Sequence, residues 1–101
     1  MVRDITDLKE SDFNEILICG RVGLTYKEVA YNCSLRIADV RAEFMNEEGP
    51  VFEAWERGRL QAELEIRQQV LQSAKNGSTP AIEQMLAFFK RADNIHREMV
   101  Q

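Results

Sequence analysis

The sequence predicts an all-α protein, an amino-terminal helix-turn-helix followed by a long antiparallel helical hairpin. Three observations carry that reading. Apolar residues recur three and four positions apart, glycine and proline punctuate the ends of those runs, and Thr25 and Thr79 stand where helices should begin.

The first helix is expected from near Thr6 or Ser11 to about Cys19, with Phe13, Ile16 and Leu17, joined by Leu8 if the start is early, on its buried face. Gly20 and Gly23 bracket its end, because a residue without a Cβ permits the tight reversal needed before the next helix. Thr25 and Glu28 have capping-box spacing: the hydroxyl accepts one orphan backbone N–H and the carboxylate reaches back to another. The second helix therefore starts at Thr25 and turns Val29, Ala30 and Cys33 inward, with Ala30 small enough to admit a close crossing. Ser34 marks the next break, at a place where many helix-turn-helices use glycine. The third helix then holds Leu35, Val40 and Phe44 inward and turns Arg36, Ile37, Ala38 and Arg41 outward or partly outward, the layout of a recognition helix.

Gly49 and Pro50 form the clearest boundary, which divides the chain into a headpiece, residues 1–49, and an oligomerisation region, residues 50–101. A helix over Val51–Asn76 would be about 39 Å long, with Gly58 as a local weak point. Phe52, Trp55, Ala62, Ile66 and Val70 mark one broad apolar face, and Leu60, Leu64, Leu71 and Ala74 extend around another side. Gly77 is expected to end this helix, Thr79 to cap the next, and Pro80 to take its first helical position. Ala81, Ile82, Met85, Leu86, Phe88, Phe89 and Ile95 make the returning helix apolar over more than one side. Two helices cannot cover that circumference, so self-association is expected through Phe52, Trp55, Leu60, Leu64, Ile66, Leu71, Met85, Phe88 and Phe89.

Composition excludes several classes of function. With 45% hydrophobic and 30% charged residues the chain should fold. No apolar run approaches the roughly 20 residues that cross a membrane, and Asp4, Asp7 and Glu10 make the first ten residues unlike a leader, so a cytoplasmic protein is expected. Cys19 and Cys33 are separated by 13 residues and His96 is the only histidine, so no zinc set can be assembled and the cysteines read as buried thiols. There is no GxxxxGK[ST] phosphate loop and the acidic residues are dispersed, which predicts neither catalysis nor a cofactor nor a metal.

The net charge of −4 is unevenly placed: residues 1–49 hold six basic and ten acidic side chains, residues 50–101 seven of each. Between Arg21 and Arg41, however, Arg21, Lys27, Arg36 and Arg41 outnumber Glu28 and Asp39, a local net of +2. The same features fit a structural three-helix packing unit with solvated arginines, or a surface that meets double-stranded DNA, which is the expected partner. Arg36 and Arg41, with Ile37 beside them, would face the groove, and Arg21 and Lys27 would meet phosphates.

The stretch GLTYKEVA, Gly23–Ala30, is similar to the entry into the helix-turn-helix of the small terminase subunits of tailed bacteriophages and prophages. FEAW from Phe52, RGR from Arg57 and AKNGSTPA from Ala74 resemble that family's long helix, turn and returning helix. The resemblance implies a subunit that recognises phage DNA near packaging sites, usually as a ring in the host cytoplasm. It would deliver that DNA to a terminase large subunit owning the ATPase and nuclease. Two other readings stand beside it: a helix-turn-helix transcriptional regulator using the same residues as a dimer on two half-sites, and a non-catalytic adaptor or inhibitor offering Glu43, Glu47 and Glu48 to a basic protein partner.

Overall fold

In the computed structural model, which describes residues 2–100, a 3-10 turn at Ile5–Asp7 precedes five α-helices. These are α1 (Glu10–Arg21), α2 (Tyr26–Cys33), α3 (Ile37–Asn46), α4 (Pro50–Lys75) and α5 (Thr79–Val100). Among the described residues the only β-type pairing is an isolated parallel bridge between Arg3 and Leu35. The chain is all-α, as its periodicity predicts.

The helix ends follow one rule. At each of four ends a single residue takes the left-handed backbone conformation: Gly23 (φ 76°), Ser34 (φ 56°), Glu47 (φ 51°) and Gly77 (φ 94°). The following N–H reaches back five residues, from Leu24 to the Cys19 carbonyl (3.0 Å), Leu35 to Ala30 (2.9 Å), Glu48 to Glu43 (3.2 Å) and Ser78 to Ser73 (3.1 Å). This Schellman arrangement satisfies carbonyls that a helix end otherwise leaves without donors. Glycine adopts the conformation freely, whereas at Ser34 and Glu47 a Cβ must be accommodated, at about 1–2 kcal/mol each.

Helix starts are fixed by side chains. Asp12 accepts the Lys9 N–H at 2.9 Å and sets the start of α1 at Glu10, while Asp4 holds the Thr6 N–H in the separate turn that precedes it. Thr25 and Glu28 form the expected capping box at 3.3 and 2.9 Å. For α4 the acceptor comes from a different helix: Glu43 Oε1 takes the N–H groups of Val51 (2.9 Å) and Phe52 (3.1 Å). The α5 cap falls one residue earlier than expected. Ser78 Oγ accepts the Ala81 N–H at 3.4 Å, so Thr79 and Pro80 both lie inside the first turn, where proline's missing N–H costs nothing.

The first compact unit, Met1–Glu63, takes in the first half of α4. Ile16, Val29, Val40 and Val51 are fully buried at its centre, with Cys19, Ala30, Cys33 and Leu35 around them. Phe44 packs edge-on against Phe52 (5.2 Å between centroids) and Trp55 (5.0 Å), and Trp55 Nε1 donates to the Leu24 carbonyl at 2.8 Å. Two glycines have roles other than those expected of them. Gly20 lies inside α1 and Gly58 inside α4, both buried, and they meet at the crossing of the two helices. A Cβ on Gly20 would overlap the Trp55 carbonyl, and one on Gly58 the Leu17 carbonyl. Gly58 is thus a packing requirement, and Gly23 alone terminates α1.

The second unit, Leu64–Gln101, contains the last turns of α4 and α5. Arg67 places its guanidinium 4.3 Å from the centre of the Phe88 ring, and Ile66, Val70 and Ser73 share a hollow with Ser78 and Ala81, so α5 returns along α4 as a hairpin. Ala81 and Met85 are its buried residues.

Candidate nucleic-acid interface

The α2–turn–α3 segment positions the predicted DNA contacts. Thr25 starts α2, Ser34 turns the chain through its left-handed conformation, and Leu35 and Val40 anchor α3 in the core. With Val40 fixed inward, the three-and-four spacing of Ala38, Arg41, Ala42 and Met45 puts them together on the outer face, and all four are exposed. Apart from Arg41 this surface is small or apolar, so α3 can approach a flat or grooved partner closely. Alanine and methionine offer methyl contacts of the kind a thymine methyl accepts.

The predicted cations are distributed unequally. Arg41 is exposed near the middle of α3 with no ion pair among the described residues. Lys27 is exposed in the first turn of α2. Arg21 is exposed at the last position of α1, where a cation suits the helix dipole. Arg36 sits at the start of α3 and is shared by two carboxylates, Asp39 at 3.6 Å and Asp4 at 4.0 Å. Ile37 is half-buried against the core, and with Tyr31, Leu35, Arg36 and Ala38 it lines an open groove of about 500 Å³. Asp39 therefore acts as an ion-pair partner of Arg36.

Sequence reading did not find the amino-terminal arm in this region. The Arg3 guanidinium donates to the Cys33 carbonyl (2.7 Å) and to Asp12 (2.8 Å), and the Arg3 N–H donates to the Ser34 carbonyl (2.7 Å). Nothing in the periodicity around residue 3 signals these bonds, since each partner is distant in sequence. Tyr31, 73% exposed, is a second surface residue that spacing alone did not single out.

Four carboxylates of this region are engaged within the chain. The Glu28 carboxyl lies below its ordinary range, first because it accepts the Thr25 N–H. Asp12 is lowered by the Lys9 N–H and then by Arg3, and Asp4 by the bonds from Thr6 and, more weakly, by Arg36. Glu43, offered by the sequence as part of an acidic docking face with Glu47 and Glu48, is instead committed to capping α4; Glu47 and Glu48 stay exposed.

Cys19 and Cys33 are buried free thiols, as expected, and Asn32 Nδ2 lies 3.5 and 3.9 Å from their sulfurs. Burial foremost, helped by the neighbouring Cys19, pushes the Cys33 thiol up to about 11, so it stays protonated at neutral pH. Among the described residues no group of three His, Cys, Asp or Glu side chains is placed to hold a metal ion, and no helix is long and apolar enough to cross a membrane.

The residues predicted to join copies fall into two sets. Phe52 and Trp55, expected to help join copies, pack half-buried in the aromatic cluster of the first unit. Met85 is buried and Leu71 and Phe88 are half-buried, whereas Leu60, Leu64, Ile66 and Phe89 are exposed. To these the structure adds Ile82, Leu86, Ile95 and Met99, all exposed along α5.

No family model, curated protein or solved structure matches this chain.

Proposed function

We propose that the chain is a non-catalytic, double-stranded-DNA-binding subunit that works as a homo-oligomer, in the manner of the small terminase subunits its sequence resembles. In this reading it recognises phage DNA for packaging and hands it to a large subunit. The observation that carries the reading is the outer face of α3: Arg41 stands among Ala38, Ala42 and Met45, held outward by a core-anchored helix that follows a tight turn. Lys27 and Arg21 supply phosphate contacts and Arg36 a second groove contact. Oligomerisation compensates for the acidic balance of the headpiece, because several weak sites held in one particle bind one duplex together. The apolar side chains left exposed on the hairpin favour it. Burying about 400 Å² of them per copy, at roughly 25 cal/mol per Å², contributes on the order of 10 kcal/mol before the costs of association. A closed ring follows from the resemblance and keeps every copy equivalent.

Titration onto phage and random duplexes at two salt concentrations tests this. Binding should appear at low salt, weaken steeply at high salt, and fall at least tenfold in the double variant Arg36→Glu/Arg41→Glu while helicity is unchanged. Absence of binding by the folded protein at low salt sinks the DNA assignment. Unchanged binding in the folded double variant moves these arginines to a solvated surface role. Exposed Tyr31 favours a second reading, a protein-binding adaptor, which predicts no salt-sensitive DNA affinity at all.

A further inference from the structure

The amino-terminal arm is tied to the turn between α2 and α3. The backbone of Arg3 pairs with that turn through the Ser34 carbonyl, and its guanidinium bridges the Cys33 carbonyl at the end of α2 to Asp12 at the start of α1. Cations at a helix carboxyl end are favoured by the helix dipole, so this clasp has a natural seat. Its consequence lies one residue further on. Asp4 uses Oδ1 for the Thr6 N–H and hydroxyl, both at 3.0 Å, which leaves Oδ2 directed to Arg36 at 4.0 Å. Val2 meanwhile lines the groove formed by Tyr31, Ser34 and Arg36 to Ala38.

We infer that residues 2–7 form an autoinhibitory strap, in which the Asp4 carboxylate occupies the place of a DNA phosphate beside Arg36. The inference rests on the proposal that this face meets DNA. A phosphate approaching Nη1 of Arg36 competes with Asp4, since that nitrogen already faces both Asp39 at 3.6 Å and Asp4 at 4.0 Å. The displacement is easily reversible: Asp4 and Arg36 are each about half exposed, with side-chain exposures of 52% and 56%, and such pairs are weak and screened by salt. The strap thus tunes affinity without abolishing it, and a partner that peeled the arm away would expose a stronger DNA-binding face.

The test compares the full-length protein with Asp4→Asn and Asp7→Asn on one duplex. Asparagine keeps the oxygen that accepts from Thr6 but removes the charge facing Arg36. Asp7 lies in the same 3-10 turn and makes no ion pair among the described residues, so its variant controls for net charge. Asp4→Asn should bind about two- to fivefold tighter at low salt, a gain that shrinks as salt is added, and Asp7→Asn should match the native chain. Equal or weaker binding by Asp4→Asn, or equal gains in both variants, overturns the strap while leaving the DNA reading intact. Failure of all three proteins to bind at low salt removes the DNA reading itself, and the strap with it.

Discussion

The two compact units solve the problem of apolar surface differently. In Met1–Glu63, three short helices and the start of a fourth surround a centre at which Ile16, Val29, Val40 and Val51 have no exposure. In Leu64–Gln101 the second half of α4 and the returning α5 leave Leu64, Leu86 and Phe89 more than half exposed, at 57%, 61% and 53%. The difference follows from topology. Short helices that cross one another bury a shared centre while leaving Ile18, Val22 and Met45 exposed at their edges, whereas a two-helix hairpin has no such centre and covers only one side of each helix. The first unit is therefore expected to hold itself together, and the second to depend on what covers it.

The largest effect should come from Gly58→Ala. In an isolated helix that change is favourable by about 1 kcal/mol, but here the added methyl meets the Leu17 carbonyl across the α1–α4 crossing. Urea unfolding should show a loss of about 3 kcal/mol, and a gain in stability would mean that the helices do not touch there. An intermediate effect is expected for Glu43→Ala, which strips two N–H groups at the start of α4 of their shared acceptor. It should cost about 1–2 kcal/mol, with no comparable cost for Glu47→Ala, whose side chain is exposed.

Acid should act on the first unit more than on the second. Asp4, Asp12 and Glu28 are all lowered in the folded chain by hydrogen bonds at helix and turn starts. A carboxyl lowered on folding contributes stability above its unfolded value near 4, and that contribution is lost as pH falls through the lower folded value. Stability should thus drop below about pH 4, and Asp12→Asn should flatten that limb, since it removes the carboxylate that receives both Lys9 and Arg3. An unchanged acid limb would place the sensitivity elsewhere. The smallest effect is Glu47→Gly, which relieves a left-handed Cβ and should stabilise by about 0.5–1 kcal/mol after the entropy gained by the unfolded chain.

Much of the first unit was legible in the sequence because its signals are local. Thr25 and Glu28, Gly23, and the inward set Val29, Ala30, Cys33 and Val40 each announce themselves within a few positions. The features that were not legible are made by distant partners. Gly20 and Gly58 read as breakers until the crossing brings them together, and Glu43 read as a surface acid until α4 begins beside it. Ser34 marked the right break, but the need for a left-handed residue there, which explains why glycine is common at such a turn, appears only in the backbone. Of the candidate interface, the outward direction of Arg41 followed from periodicity, whereas the pairing of Arg36 with Asp4 depends on an arm whose bonds have no sequence signature.

The contrast between the units is tested most directly by molar mass, measured by light scattering after size separation, for the native protein and for Leu86→Glu/Phe89→Glu. These two side chains are exposed on α5, so charging them should leave helicity and the first unit's unfolding unchanged. A native oligomer is expected at tens of micromolar, which the double variant should reduce to the monomer mass. A ring should give a defined mass of several copies, and a stable dimer would retain the interface while rejecting the ring. A native protein that is folded and monomeric at that concentration would contradict the claim that a second copy covers the hairpin.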